Sequence, residues 1–260
     1  MFSDDVLYKQ LVVKGGNALK LVHGIGSRVS VDVDFSTDAE LDEQDTSARI
    51  ERALPDRFES VGQRVFDFSF VRRPAAVQDL RFSGFQATFK LMSEERAAIV
   101  RQDIVRARRE ALVVGDGQQR TFTIDISANE FCEPSEVVEF DLSNVRVYSP
   151  TMIAIEKYRA LCQQSERYEV RRGKAPRARD FLDIHAIVTS RNIDLMTAQN
   201  RELFERIFEA KLVPLALLAD LPSQRDFHRE NWPNVVQSAR QELLSFDEYF
   251  DFAVDLVKAL

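Results

Sequence analysis

Residues 11–36 constrain the fold more tightly than any other stretch. Leu11-Val12-Val13-Lys14 is a short apolar run that ends at Gly15-Gly16. Asn17–His23 follows with helical spacing, and Val29, Val31, Val33 and Phe35 then alternate with Ser30, Asp32, Asp34 and Ser36. The run predicts a buried strand, the glycines a turn opening a helix with Asn17 as N-cap, and the alternation a half-buried strand. Sixteen residues separate Gly16 from Asp32 (32 − 16), room for one helix and a turn that returns the second strand beside the first. Asp32 and Asp34 then share one face of that strand, about 6–7 Å apart along the chain.

Two carboxylates so placed repel, and a Mg²⁺ ion between them is the usual way to make the pair tolerable; it also bridges to substrate phosphates. A glycine turn at a helix start presents backbone N–H groups and the positive end of the helix dipole to an anion, and Lys14 flanks this one. Taken one at a time, these residues are equally an ordinary helix start and acids on an exposed strand. Taken together, a phosphate cradle beside an acid pair suits nucleotidyl transfer from a nucleoside triphosphate, with pyrophosphate leaving.

Alternation continues through the first half. Phe66, Phe68 and Phe70 are expected on one side of a strand, and Phe85, Ala87, Phe89 and Leu91 on one side of another. In TFTIDIS, Phe122, Ile124 and Ile126 point inward and Asp125 lies on the polar side, available as a third ligand or a base. The acidic stretch 37–47 reads as a loop, 48–58 as a short helix and 93–110 as one charged helix. The character changes at Tyr148-Ser149-Pro150, where serine caps a helix and proline takes its first position. Helices are predicted over 150–164, 176–189 and 197–209, with two or three more reaching Leu260. The fold class is α/β (α+β), a mixed sheet over 1–149 followed by a helical domain over 150–260.

With 45% apolar residues in 260, the chain can bury a core without staples, and Cys132 and Cys162 lie too far apart in sequence for a CxxC site. No apolar run approaches the roughly 18 residues of a membrane span, and the first residues lack a secretory pattern, so a soluble, cytoplasmic protein without membrane contact is expected. A net charge of −7 argues against coating nucleic acid through the overall field. One segment runs the other way: Arg167, Arg171, Arg172, Lys174, Arg177 and Arg179 face a single acid, Glu169. His23, His185 and His228 are isolated, and Trp232 reads as packing.

KGGNALKLVHGIGSRVSVDVDFS resembles the nucleotidyltransferase signature of the AbiEii-like toxins of abortive-infection toxin–antitoxin systems, within the DNA polymerase β-like superfamily. Glu156-Lys157-Tyr158-Arg159-Ala160 resembles the family's helical lysine motif, and Arg177–Asp183 its RxRDxxD segment. The resemblance spans about residues 11–190 in the family's order. It implies that Lys14, Gly15 and Gly16 hold the triphosphate and that Asp32 and Asp34 hold metal. Arg28 and Ser30 would steady the acids or touch phosphate. Lys157 and Asp180 would be the helical contributions to catalysis, with Asp183 in support and Asp125 as catalytic base. It also implies a helical domain closing over the cleft, Mg²⁺, a cognate antitoxin, a role in phage defence and, from relatives that modify the acceptor end, transfer RNA as acceptor. Arg171, Arg172 and Lys174 are where RNA is expected to lie. Nucleotidylation of a small molecule such as an antibiotic, or of a protein, is the alternative.

Overall fold

The computed structural model describes residues 2–26, 32–75, 80–101, 103–114, 118–140, 143–170, 173–239 and 242–260. Arg28, Ser30, Arg171 and Arg172, together with Val29 and Val31 of the alternating run, lie outside the described residues. The chain forms two compact units, Met1–Asn17 with Ser30–Val147, and Ala18–Val29 with Tyr148–Leu260.

The first unit is built on a mixed seven-stranded sheet in the order β3-β4-β5-β2-β1-β7-β6. The strands are β1 (Val12–Lys14), β2 (Val33–Ser36), β3 (Gln63–Arg73), β4 (Gly84–Ser93), β5 (Phe122–Ser127), β6 (Ser135–Phe140) and β7 (Ser143–Tyr148). β1 and β2 pair antiparallel, as do β3 with β4 and β4 with β5, whereas β2/β5 and β1/β7 are parallel. Its helices are α1 (Asp5–Gln10), α2 (Gly15–Asn17), α3 (Glu43–Glu59), α4 (Glu94–Val100) and α5 (Ile104–Glu110). One face of β4 and β5 is apolar and buried, carrying Phe85, Ala87, Phe89, Leu91, Ile124 and Ile126 as the alternation predicts. The opposite face carries Gln86, Thr88, Lys90, Thr123 and Asp125.

Three expectations are corrected here. β3 holds one residue more than β4 between the pairs Phe66↔Lys90 and Ser69↔Thr88, with Asp67 at φ 56°. The bulge puts Phe66 and Phe70 on opposite faces, so Phe66 joins a small separate cluster with Met92, Val100 and Ala107. The 93–110 stretch is two helices, broken at Arg101 with φ 53°, and Asp103 starts the second by accepting from the Arg106 N–H at 3.0 Å. The acidic stretch 37–47 is a loop only in part. Asp42 caps α3 by accepting from Asp45 N–H at 2.7 Å, and Glu43 and Asp45 occupy the first turn, where the helix dipole favours anions.

The second unit is helical. A π-helical stretch, Ala18–Val22, continues directly from α2, and the rest comprises α6 (Pro150–Cys162), α7 (Ala178–Arg191), α8 (Ala198–Glu209), a 3₁₀ segment (Leu215–Gln224), α9 (Arg225–Arg229), α10 (Trp232–Gln237) and α11 (Phe246–Val257). Ser149 accepts from the Met152 N–H at 3.2 Å with Pro150 at the first position, as its sequence predicts. Tyr158, Phe181, Phe204, Phe208 and Phe250 fill the core, and the Tyr158 hydroxyl donates to the Ala253 carbonyl at 2.8 Å. Trp232 packs on Phe246 and Tyr249. Cys132 and Cys162 are buried free thiols. Among the described residues no helix is long and apolar enough to cross a membrane.

Candidate active site

The first unit's site begins where β1 runs into α2. Gly15 has φ +71°, a left-handed backbone that side chains other than glycine rarely take, and a Cβ there would drive into the Asp34 carboxylate. The glycine therefore serves two ends: it turns the chain and lets Asp34 lie against the backbone. Asn17 is not the N-cap that the sequence predicts, because the helix already starts at Gly15. Its side-chain amide instead donates to the Asp32 carbonyl at 2.9 Å, tying the residue before β2 to α2.

Strand register then lines up four polar residues straight across the sheet. Lys14 on β1 pairs with Asp34 on β2, Asp34 with Asp125 on β5, and Asp125 with Gln86 on β4. Directly paired residues project on the same face about 5 Å apart. The row thus runs cation, carboxylate, carboxylate, amide, with Asp32 two residues before Asp34. Gln86 Nε2 donates to Asp125 Oδ1 at 2.9 Å. At the other end, the buried Lys14 ammonium lies 3.6 Å from the equally buried Glu130 carboxylate. Like charges facing each other across two strands destabilise a sheet, so Asp34 beside Asp125 calls for a positive charge between or above them. Gln86 and Glu130 have no motif of their own. Gln86 was recoverable only as a polar position in an alternating strand, and Glu130 by no local pattern.

The second unit carries the other set. Lys157 on α6 points to α7, its Nζ 3.0 Å from Asp180 Oδ1 and 2.6 Å from Asp183 Oδ2. Arg177 closes on the second Asp180 oxygen. Burial works against the Lys157 ammonium, but the two carboxylates outweigh it and hold its pKa above the ordinary lysine value. Burial would likewise raise the Asp180 carboxyl, yet the Arg177 and Lys157 charges keep it at about 2. Lys157 is thus a fixed cation that can stabilise developing negative charge but not take a proton. His228 supports the group from behind: its Nδ1 accepts from the Arg177 N–H at 3.1 Å, and burial pushes its pKa down to about 4. With Nδ1 accepting, the neutral ring carries its hydrogen on Nε2.

Among the described residues of the basic segment, the cations have partners close by. Half-buried Lys174 donates to the carbonyls of Gln163 at 3.1 Å and Tyr168 at 2.6 Å, which holds its ammonium at the end of α6. Arg167 pairs with Asp220 at 2.7 Å while remaining mostly exposed, and Arg179 donates to Ser238 Oγ at 2.6 Å.

The sequence matches the family described as "Nucleotidyl transferase AbiEii toxin, Type IV TA system" over residues 1–255. Among solved structures, JHP933 from Helicobacter pylori shares the fold, with TM-score 0.52 and 16% identity over 97% of this chain and 84% of the other. MenT4, a nucleotidyltransferase toxin from Mycobacterium tuberculosis, aligns at TM-score 0.46 and 16% identity over 96% of this chain and 74% of its own. Comparison with curated protein sequences gives no match. On the full-length family match, the chain belongs to the AbiEii nucleotidyltransferase toxins of type IV toxin–antitoxin systems, whose members imply a nucleoside triphosphate substrate and a cognate antitoxin.

Proposed function

We propose that the protein transfers a nucleoside monophosphate from a nucleoside triphosphate to a hydroxyl of RNA, the 3′ end of transfer RNA being the leading acceptor, with Mg²⁺ as the metal. The observation that carries this reading is the register-locked row Lys14–Asp34–Asp125–Gln86 beside the Gly15-Gly16 turn. Among the described residues no three His, Cys, Asp or Glu side chains form a closed metal site. The donors present are hard carboxylate oxygens, the set used by an ion that completes its shell with water and substrate phosphates. Asp32 and Asp34 would hold it, and when bound it neutralises phosphate charge.

The chain's own residues account for the remaining roles. The backbone N–H groups at Gly15 and Gly16 face the triphosphate at a helix start, with the Lys14 charge behind them. Asp125 takes the proton from the acceptor hydroxyl as its oxygen bonds to the α-phosphorus, while the bond from that phosphorus to pyrophosphate breaks. Lys157, held charged between Asp180 and Asp183 within the helical unit, is the cation on which transfer depends there. RNA as acceptor is supported by the family's toxin character and by Arg167, Arg179 and the neighbouring Arg171 and Arg172.

Incubating the protein with Mg²⁺, each α-labelled nucleoside triphosphate in turn and total bacterial RNA tests the reading. Label is expected on transfer RNA with the unmutated chain and not with Asp32→Ala or Lys157→Ala. Label on a co-purifying protein or a small molecule, with RNA unlabelled, would replace the acceptor.

A further inference from the structure

Gln86 enters the acid row without any motif announcing it. It lies on β4, directly opposite Asp125 in the antiparallel β4/β5 ladder, and donates its amide Nε2–H to Asp125 Oδ1 at 2.9 Å. Both side chains are half-buried on the polar face of the sheet. A carboxylate rotates broadly about its last bond, so an aspartate on a strand has no intrinsic reason to aim one particular oxygen at a substrate. A donor fixed by strand register on one oxygen removes that freedom and leaves Oδ2 as the oxygen available for a proton.

We propose that Gln86 is a positioning residue for Asp125: it occupies Oδ1 and turns Oδ2 toward the acceptor hydroxyl. This rests on the reading of Asp125 as the base in nucleotidyl transfer. The hydroxyl proton passes to Asp125 Oδ2, the acceptor oxygen bonds to the α-phosphorus, and pyrophosphate departs with the electrons of the broken phosphorus–oxygen bond. The side-chain type fits the task. Lysine or arginine at position 86 would hold Asp125 by a charge-assisted bond, stabilising its anion and weakening it as a base. A neutral carboxamide orients the carboxylate without adding charge to a row that already has Lys14 at its far end.

A double-mutant cycle tests the assignment, with transfer RNA and the preferred labelled triphosphate as substrates and kcat and KM read separately. Gln86→Leu is expected to lower kcat about tenfold with KM for the triphosphate unchanged, as loss of orientation without loss of binding requires. Asp125→Ala is expected to lower kcat at least about 100-fold, the loss of a general base. The double variant is expected to be no slower than Asp125→Ala alone, because Gln86 then has nothing to orient. Gln86→Glu keeps the side-chain volume but puts an anion against Asp125, and is expected to be slower than Gln86→Leu. It also serves should the leucine variant not fold. Activity within twofold of the unmutated chain for either Gln86 variant, or a further tenfold loss in the Asp125→Ala background, would overturn the inference. Full activity of Asp125→Ala would remove Asp125 itself, and an inactive unmutated chain would remove the transfer reading; neither is confused with failure of Gln86 alone.

Discussion

Gly15 and Asp34 are fitted closely against each other in the first unit, and they fail together. A methyl group on Gly15 meets the Asp34 carboxylate and demands a side chain at φ +71°. The backbone penalty alone is about 1–2 kcal/mol, and the clash must be relieved by moving the carboxylate that the proposed chemistry needs most. Gly15→Ala is therefore expected to lower the thermal midpoint by several degrees and to abolish transfer, whereas Gly62→Ala, also at positive φ but with open space around it, is expected to cost stability and leave turnover intact. Melting curves and transfer rates on the two variants separate the effects. Glycine at 15 and the acids at 32 and 34 are readable from the chain because they depend on local spacing. Gln86 and Glu130 are not, because their partners, Asp125 and Lys14, come from strands far away in sequence. Asn17 shows the converse: its local pattern fits an N-cap, but a tertiary acceptor, the Asp32 carbonyl, claims its amide.

α7 and α9 meet through a hydrogen bond that should give the helical unit a measurable pH response. His228 on α9 is fully buried and accepts from the N–H of Arg177 just ahead of α7, so protonating it costs both burial and that acceptor. Its pKa falls from 6.5 to about 4 on folding. Between those values the unfolded chain binds more protons than the folded one, so stability rises with pH there. The contribution is complete above pH 6.5 and lost as pH drops toward 4. A difference of about 2.5 pH units amounts to roughly 3 kcal/mol. His185, also pushed down by burial, acts in the same sense. The Asp180 carboxyl at about 2 opens a separate window below pH 3.8. Urea unfolding is expected to give a free energy that is level above pH 7 and falls between 6.5 and 4.5, with most of the fall absent in His228→Gln. A stability that rises on acidification over that interval would contradict the account. At this level the strands with clean alternation, β4 and β5, and the capped helices α6 and α8 are foreseeable. The bulge at Asp67 and the break at Arg101 are not, since each turns on one residue at positive φ in an otherwise regular pattern. β6 is also hidden, because it exposes Val137 and Phe140 and so lacks a buried stripe.

The sheet unit presents a row of acids, and the helical unit, taken by itself, presents a caged cation. The change of character at Pro150, from period-two alternation to helical spacing, is legible in the chain, while the grouping of Ala18–Val29 with Tyr148–Leu260 has no compositional mark. The Lys157 motif and the 177–183 segment carry enough identity to name the family, and the family match then covers residues 1–255. Which molecule accepts the nucleotide is not written in either unit's polar rows, since a carboxylate base serves any hydroxyl. The most direct measurement is the intact mass of purified transfer RNA before and after incubation with the protein, Mg²⁺ and triphosphate, with released pyrophosphate counted in parallel. The account predicts that the RNA gains whole nucleoside monophosphates, one pyrophosphate appearing per unit added, and that neither change occurs with Asp34→Ala. Pyrophosphate released without any gain in RNA mass, or an undiminished gain with Asp34→Ala, would contradict it.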